Sequence, residues 1–260
     1  MISAQERRNI ILQLLAERGS VTVAELYARF NVSEVTIRRD LTILESSNLL
    51  RRIHGGAVTA RGRSYEPPFL TRNQESIHAK ECIGKYAATL VNDGDSVVLD
   101  VGTTTLAMAR NMVNLRDITV LTASLPIANV LADRPDIRVL VSGGFLRPGE
   151  QSMVGSVAAH TFTNYFVDKA FLGIGGVDLE VGLTEYNAED AEVKRNLVQG
   201  SQQRILLADS TKFGRRTFSR VARLEEIDEI VTDDSIDEGI AAELEKLGIR
   251  MHLVSVNVKP

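Results

Sequence analysis

Val32-Ser33-Glu34-Val35-Thr36-Ile37-Arg38-Arg39-Asp40-Leu41 decides how the first quarter of the chain folds. Ser33 belongs to the residue types that cap a helix N-terminus with a side-chain oxygen. Beyond it, Ile37, Leu41 and Leu44 recur at helical spacing, which predicts a helix over roughly 34–47 with those three facing inward. Glu34, Val35, Thr36, Arg38, Arg39 and Thr42 then project outward. A DNA major groove admits one α-helix, whose N-terminal turns reach the base edges. Arg38 and Arg39 can pair with phosphate or guanine. Ser33 and Thr36 can contact phosphate, aided by the helix N-terminus. Phosphate would repel Asp40, which is expected to brace an arginine instead.

Upstream, Ser3 and Glu6 have the spacing of a capping box, and Ile10, Ile11, Leu14 and Leu15 share one helical face ending near Gly19. Ser20-Val21-Thr22 reads as extended. Thr22 and Glu25 repeat the capping spacing ahead of a short helix, roughly 23–30, and Asn31-Val32 make a turn. Downstream, Leu49 to Ile53 reads as a strand, His54-Gly55-Gly56 as a turn and Ala57-Val58 as the start of a return strand. Three helices followed by a hairpin form a winged helix-turn-helix. Arg51, Arg52 and His54 in the wing join Ser33, Thr36, Arg38 and Arg39 as candidate DNA-binding residues. The chain carries a net charge of −4, but unevenly. Residues 1–72 hold eleven arginines, no lysine and seven carboxylates, a net +4, and the remainder carries −8. The local field, not the total, meets a phosphate backbone.

Residues 59–70 are mostly polar, with Gly62 and the pair Pro67-Pro68, which favours extended chain. The expected organisation is a DNA-binding domain at 1–58, a linker at 59–72 and a second domain at 73–260, opening with a helix over about 73–92. Apolar runs at Ser96–Asp100, Ile118–Thr122, Ile137–Ser142, Ala170–Ile174, Ile205–Asp209, Glu229–Thr232 and Met251–Val256 are mostly separated by stretches of helical length. This alternation predicts an α/β domain with a largely parallel sheet. Ligands of such sheets bind beyond the carboxyl ends of the strands. After the first run, Gly102, Thr103, Thr104 and Thr105 make a glycine turn and a hydroxyl-rich helix start, a cradle for an anion. Ser124, Gly143 and Gly144 end later runs. Lys194 and Lys212 can supply positive charge to the anion, and Asp100 and Asp178 can accept hydrogen bonds from sugar hydroxyls. Each also has a plain structural reading: turn caps for the aspartates, backbone geometry for the glycines, solvated surface for the lysines.

Several classes find no support. The one cysteine, Cys82, excludes an internal disulfide and fits a reducing cytoplasm. No apolar run of membrane-spanning length occurs, so no membrane partner is expected. His54, His78, His160 and His252 are scattered without metal-ligand spacing, and no G-x-S-x-G elbow or dinucleotide fingerprint is present. The expectation is no metal, no cofactor and no catalytic residue.

The stretches at 32–41 and 51–57, Arg51-Arg52-Ile53-His54-Gly55-Gly56-Ala57, resemble the N-terminal domain of the DeoR family of sugar-metabolism repressors. Residues 100–105, 175–178, 192–194 and 208–214 resemble that family's effector domain, and the similarity runs through nearly the whole chain. The resemblance implies a C-terminal α/β fold like ribose-5-phosphate isomerase. It also implies a repressor of a carbohydrate-utilisation operon, bound to double-stranded operator DNA and released by a phosphorylated sugar or polyol. Binding as a homo-oligomer, dimer or tetramer, would give each recognition helix one half-site. An isomerase with an accessory N-terminal domain is the alternative. The isomerase loop pattern D-G-A-D corresponds to Gly175-Gly176-Val177-Asp178, so one carboxylate is replaced by glycine. That weakens a catalytic reading, although Glu189, Asp190 or Glu192 could supply another acid.

Overall fold

Ser3 Oγ accepts from the Glu6 amide at 3.2 Å while Glu6 Oε2 accepts from the Ser3 amide at 2.9 Å. This closed capping box starts α1 (Ala4–Arg18), which Gly19 ends in the left-handed conformation. The computed structural model describes residues 2–47, 49–53, 55–59 and 62–256. After β1 (Ser20–Thr22), Thr22 Oγ1 caps α2 (Val23–Phe30) by accepting from the Glu25 amide. The reciprocal half of that box is not made, because Glu25 instead pairs with Arg18 at 2.6 Å. Ser33 caps α3 (Glu34–Ser46). The wing follows as β2 (Leu50–Ile53) and β3 (Gly56–Thr59), and β3 lies between β1 and β2 in an antiparallel sheet. A Cβ at Gly56 would sit 2.1 Å from the Val21 carbonyl oxygen, so only glycine lets β3 approach β1. Ile11, Leu14, Leu15, Leu26, Ile37, Leu41, Leu44 and Leu50 form this unit's core.

The chain divides into two units, residues 1–65 and 66–260. Residues 66–72, expected in the linker, belong to the second. The single helix expected over 73–92 is two, α4 (Phe69–Gln74) and α5 (Ile77–Ala88). Between them Ser76 adopts φ +49°, and Lys80 donates to the carbonyls of Arg72 and Glu75, taking up helix-end acceptors. The remaining elements run β4 (Ser96–Leu99), α6 (Thr103–Asn111), β5 (Ile118–Thr122), α7 (Leu125–Leu131), β6 (Ile137–Val141), β7 (Phe145–Arg147), β8 (Ser152–Val154) and α8 (Ser156–Thr163). They continue with β9 (Val167–Leu172), β10 (Gly176–Asp178), β11 (Gly182–Glu185), α9 (Ala188–Gln199), β12 (Ser201–Leu207), β13 (Ser219–Ala222), β14 (Glu229–Asp233), α10 (Glu238–Lys246) and β15 (Arg250–Val254).

All seven apolar runs enter one parallel sheet, in the order β15-β14-β12-β9-β4-β5-β6. Neighbouring residues of one strand feed opposite cores. Leu99, Phe171, Ile205 and Leu207 pack with residues of α5, α6 and α7. Val98, Leu172 and Leu206 pack with residues of α8, α9 and α10. Helices on both faces explain why these strands read as continuous apolar runs rather than alternating ones. From β4 the chain first adds β5 and β6 on one side, then β9, β12, β14 and β15 on the other. The strand order therefore reverses between β4 and β9, and a crevice opens beyond their carboxyl ends. The hairpin β7–β8 and the small sheet β10-β11-β13 lie outside the parallel sheet and were not foreshadowed by apolar runs.

Candidate functional site

In the N-terminal unit the outer face of α3 is open. Arg38 and Arg39 are exposed, as are Arg51 and Arg52 on β2. Arg38 reaches Glu34 at 3.3 Å, a pair that solvent screens. Arg39 and Arg51 make no ion pair or hydrogen bond among the described residues. Arg52 ties the wing to the helix, donating to Thr42 Oγ1 at 2.7 Å while its amide donates to Glu45 at 2.8 Å. The hydroxyls of Ser33 and Thr36 lie 2.9 Å apart, and Ser33 also caps the helix. Asp40 faces inward onto Arg7, the bracing role expected of it. His54 lies outside the described residues.

In the second unit the crevice at the strand-order reversal is a pocket of about 580 Å³, its open mouth included. Gly102, Thr103 and Thr104 line it from the turn after β4, and Gly173, Ile174 and Gly175 from the turn after β9. No side chain caps the α6 N-terminus at Gly102, so backbone N–H groups of the first turn remain available to a ligand. Lys212 lines the pocket from the turn after β12. It carries no ion pair or hydrogen bond among the described side chains.

The other pocket cations are engaged. Lys194, 2 % exposed, donates to Asp100 and to the Gly173 carbonyl (3.0 Å) and lies 3.6 Å from Glu185. Arg147 pairs with Asp190 and, at 2.8 Å, with Glu66. Arg72 pairs with Glu150 and, at 2.8 Å, with Glu66. Burial raises Asp100 and Glu185 above the usual carboxylate range in spite of Lys194, and raises Asp190 in spite of Arg147. Burial opposes the charge on Lys194, but Asp100 and Glu185 beside it hold its proton more tightly than an ordinary lysine's. Burial pushes Glu150 up to about 7 and Lys80 down to about 8.

The structure therefore brings Gly102, Thr103, Thr104, Lys194 and Lys212 to one pocket. Asp100 lies behind it, held by Lys194 and by the Gly173 amide. Thr105 is fully buried and bonds back to the Gly102 carbonyl. Ser124 caps α7, and Gly143 and Gly144 occupy the turn before β7. Asp178 is fixed by two hydrogen bonds from Arg216, at 3.0 and 2.9 Å. None of these last four is among the residues lining the pocket. Glu66, Arg72, Arg147, Glu150 and Glu185 line it although the sequence singled out none of them. The first two fell in the expected linker, and Arg147 and Glu150 belong to a hairpin that no apolar run announced. At Gly175 a Cβ would meet Glu185 Oε1 at 2.8 Å and the Tyr186 ring at 2.9 Å. The carboxylate of Glu185 fills the space a side chain there would need.

Among the described residues no helix is long and apolar enough to cross a membrane. The sequence profile of the DeoR-like helix-turn-helix domain matches residues 7–62, and that of the DeoR C terminal sensor domain matches residues 75–234. The HTH-type transcriptional repressor GlcR of Bacillus subtilis is 35% identical over 247 residues, 95% of each chain. The glycerol-3-phosphate regulon repressor of Escherichia coli is 32% identical over 228 residues, covering 88% of this chain and 90% of its own. Among solved structures, ribose 5-phosphate isomerase A from Methanocaldococcus jannaschii aligns with a TM-score of 0.38 and 18% identity, over 52% of this chain and 53% of that one.

Proposed function

The chain belongs to the DeoR family of transcriptional regulators, and from that premise we propose that it represses a carbohydrate-utilisation operon in the cytoplasm and leaves its operator when a phosphorylated sugar or polyol enters the pocket. Arg38, Arg39, Arg51 and Arg52 hold the phosphates and base edges of double-stranded operator DNA around α3 and the wing. A homo-oligomer presents two such helices to two half-sites. The phosphate sits between the α6 N-terminus and Lys212, and the hydroxyls face the carboxylates of the pocket wall.

One observation carries this reading. Every other cation lining the pocket is neutralised by a carboxylate of the protein, and among the described residues Lys212 has no ion-pair partner, in the same pocket as uncapped helix N–H groups. An anion is the natural counterpart of that end.

The test is operator binding by the full chain, followed by fluorescence anisotropy, with a panel of sugar and polyol phosphates and the free sugars as controls. One phosphate ester is expected to weaken operator affinity at least tenfold, within the usual 1–3 kcal/mol of allosteric coupling. Operator DNA must weaken binding of that ester by the same factor. If no ester changes operator affinity, the reading of the pocket is wrong. Operator affinity that ignores salt concentration would remove the phosphate-contact reading of α3.

A further inference from the structure

Val35 is 76 % exposed, the most exposed large apolar side chain among the described residues of the N-terminal unit. It lies in the first turn of α3. At 3.6 residues per turn it points roughly 180° away from the mean direction of Ile37, Asp40, Leu41 and Leu44, the buried residues of that helix. Arg38, Arg39 and Thr42 share its outward stripe, and all three are exposed. Val35 heads a stripe whose next members, Arg38, Arg39 and Thr42, are all polar. Folding does not account for it there. It buries little surface, and a β-branched residue is a poorer helix former than alanine or the long straight-chain residues. Its value must lie in what the helix meets.

We propose that Val35 determines base specificity by packing on the C5-methyl group of a thymine in the major groove. This rests on the DNA-binding reading of α3. The first turn of a recognition helix is the part that reaches base edges, and the thymine methyl is the one apolar feature a base pair displays there. Arg39 follows one turn later on the same stripe without a partner among the described residues, and Arg38 flanks it with a screened one. Arginine anchors beyond the valine fix the helix on phosphate or guanine and set the register in which the valine meets its base.

The experiment selects duplex DNA with the full chain from a randomised pool, then replaces each thymine of the selected site by deoxyuridine, one at a time. Deoxyuridine keeps every hydrogen-bonding group and removes only the methyl. At one thymine per half-site, the loss is expected to weaken the wild type about fourfold, the worth of one buried methyl-sized group. Val35→Ser, whose side chain is exposed and whose thermal unfolding is expected to match the wild type, binds thymine and deoxyuridine equally at that position. It keeps the discrimination at all others. A wild type indifferent to every deoxyuridine, or a Val35→Ser protein with the wild-type discrimination, overturns the assignment and leaves the DNA-binding reading standing. Failure of the wild type to enrich any duplex overturns both.

Discussion

Arg7 Nε lies 2.5 Å from Asp40 Oδ2, with both side chains buried, so the first turns of α1 grip the middle of α3 through an ion pair. Asp40 follows the two outward arginines directly, and its inward carboxylate helps orient the face that carries them. Asp40→Ala strands the Arg7 guanidinium in the interior, and breaking one side of a buried pair costs about 3–5 kcal/mol. We expect the N-terminal unit to unfold at lower denaturant and DNA affinity to fall with it. The double substitution Arg7→Met/Asp40→Leu should recover most of the stability, since paired apolar replacement removes the stranded charge. Equal stability of Asp40→Ala and wild type in urea titrations would show that the pair does not hold α3.

Lys194 neutralises Asp100 and Glu185 at the floor of the pocket. Lys194→Met leaves the buried carboxylates of Asp100 and Glu185 without the cation they share. Its thermal unfolding should drop steeply, again by about 3–5 kcal/mol, and the loss should lessen at low pH, where both carboxylates take up protons. A variant as stable as wild type at neutral pH would contradict the buried-pair account.

Lys212 differs because it has no ion-pair partner among the described residues and is half-buried. Lys212→Ala should leave the melting temperature nearly unchanged and preserve operator affinity. A charged hydrogen bond to a ligand is worth about 1.5–3 kcal/mol, so effector affinity should fall on the order of 10–100-fold. Calorimetric titration of the active phosphate ester measures this directly. An unaltered dissociation constant would move the phosphate elsewhere in the pocket.

Glu150 gives the pocket a pH dependence. Burial, with Glu66 nearby, raises it from 4.5 to about 7 against the pull of Arg72. Between those values the folded protein holds a proton that the unfolded chain has lost. The stability Glu150 contributes is therefore full below about pH 4.5 and is lost as pH rises through 7. The melting temperature should decline from pH 5 to 8, modestly, because the side chain is only part-buried and solvent screens it. Glu150→Gln should flatten that decline in part. Asp100, Glu185 and Asp190 are shifted in the same direction and keep a residual slope. A variant with the wild-type profile would show that Glu150 does not titrate there.

By itself the sequence determined the capped helices, the wing and the seven strands. Ser3, Thr22 and Ser33 each bond an amide three residues ahead, and the apolar runs are contiguous, so their causes lie within a few residues. The outward face of α3 was legible for the same reason, since helical period alone separates Arg38 and Arg39 from Ile37 and Leu41. The tertiary structure alone decided the make-up of the pocket wall. Arg72 meets Glu150 across 78 positions and Lys194 meets Asp100 across 94. Whether a lysine on a helix is solvated, like Lys246, or sealed among carboxylates, like Lys194, depends on which distant chain covers it. The break at Ser76 has the same origin, because the carbonyls it exposes are taken up by Lys80 only once that side chain is folded back over the end of α4. Local bonding repeats with the period of its own element and can be read from the letters, whereas a charge is paired by whatever the crossovers of the sheet carry past it.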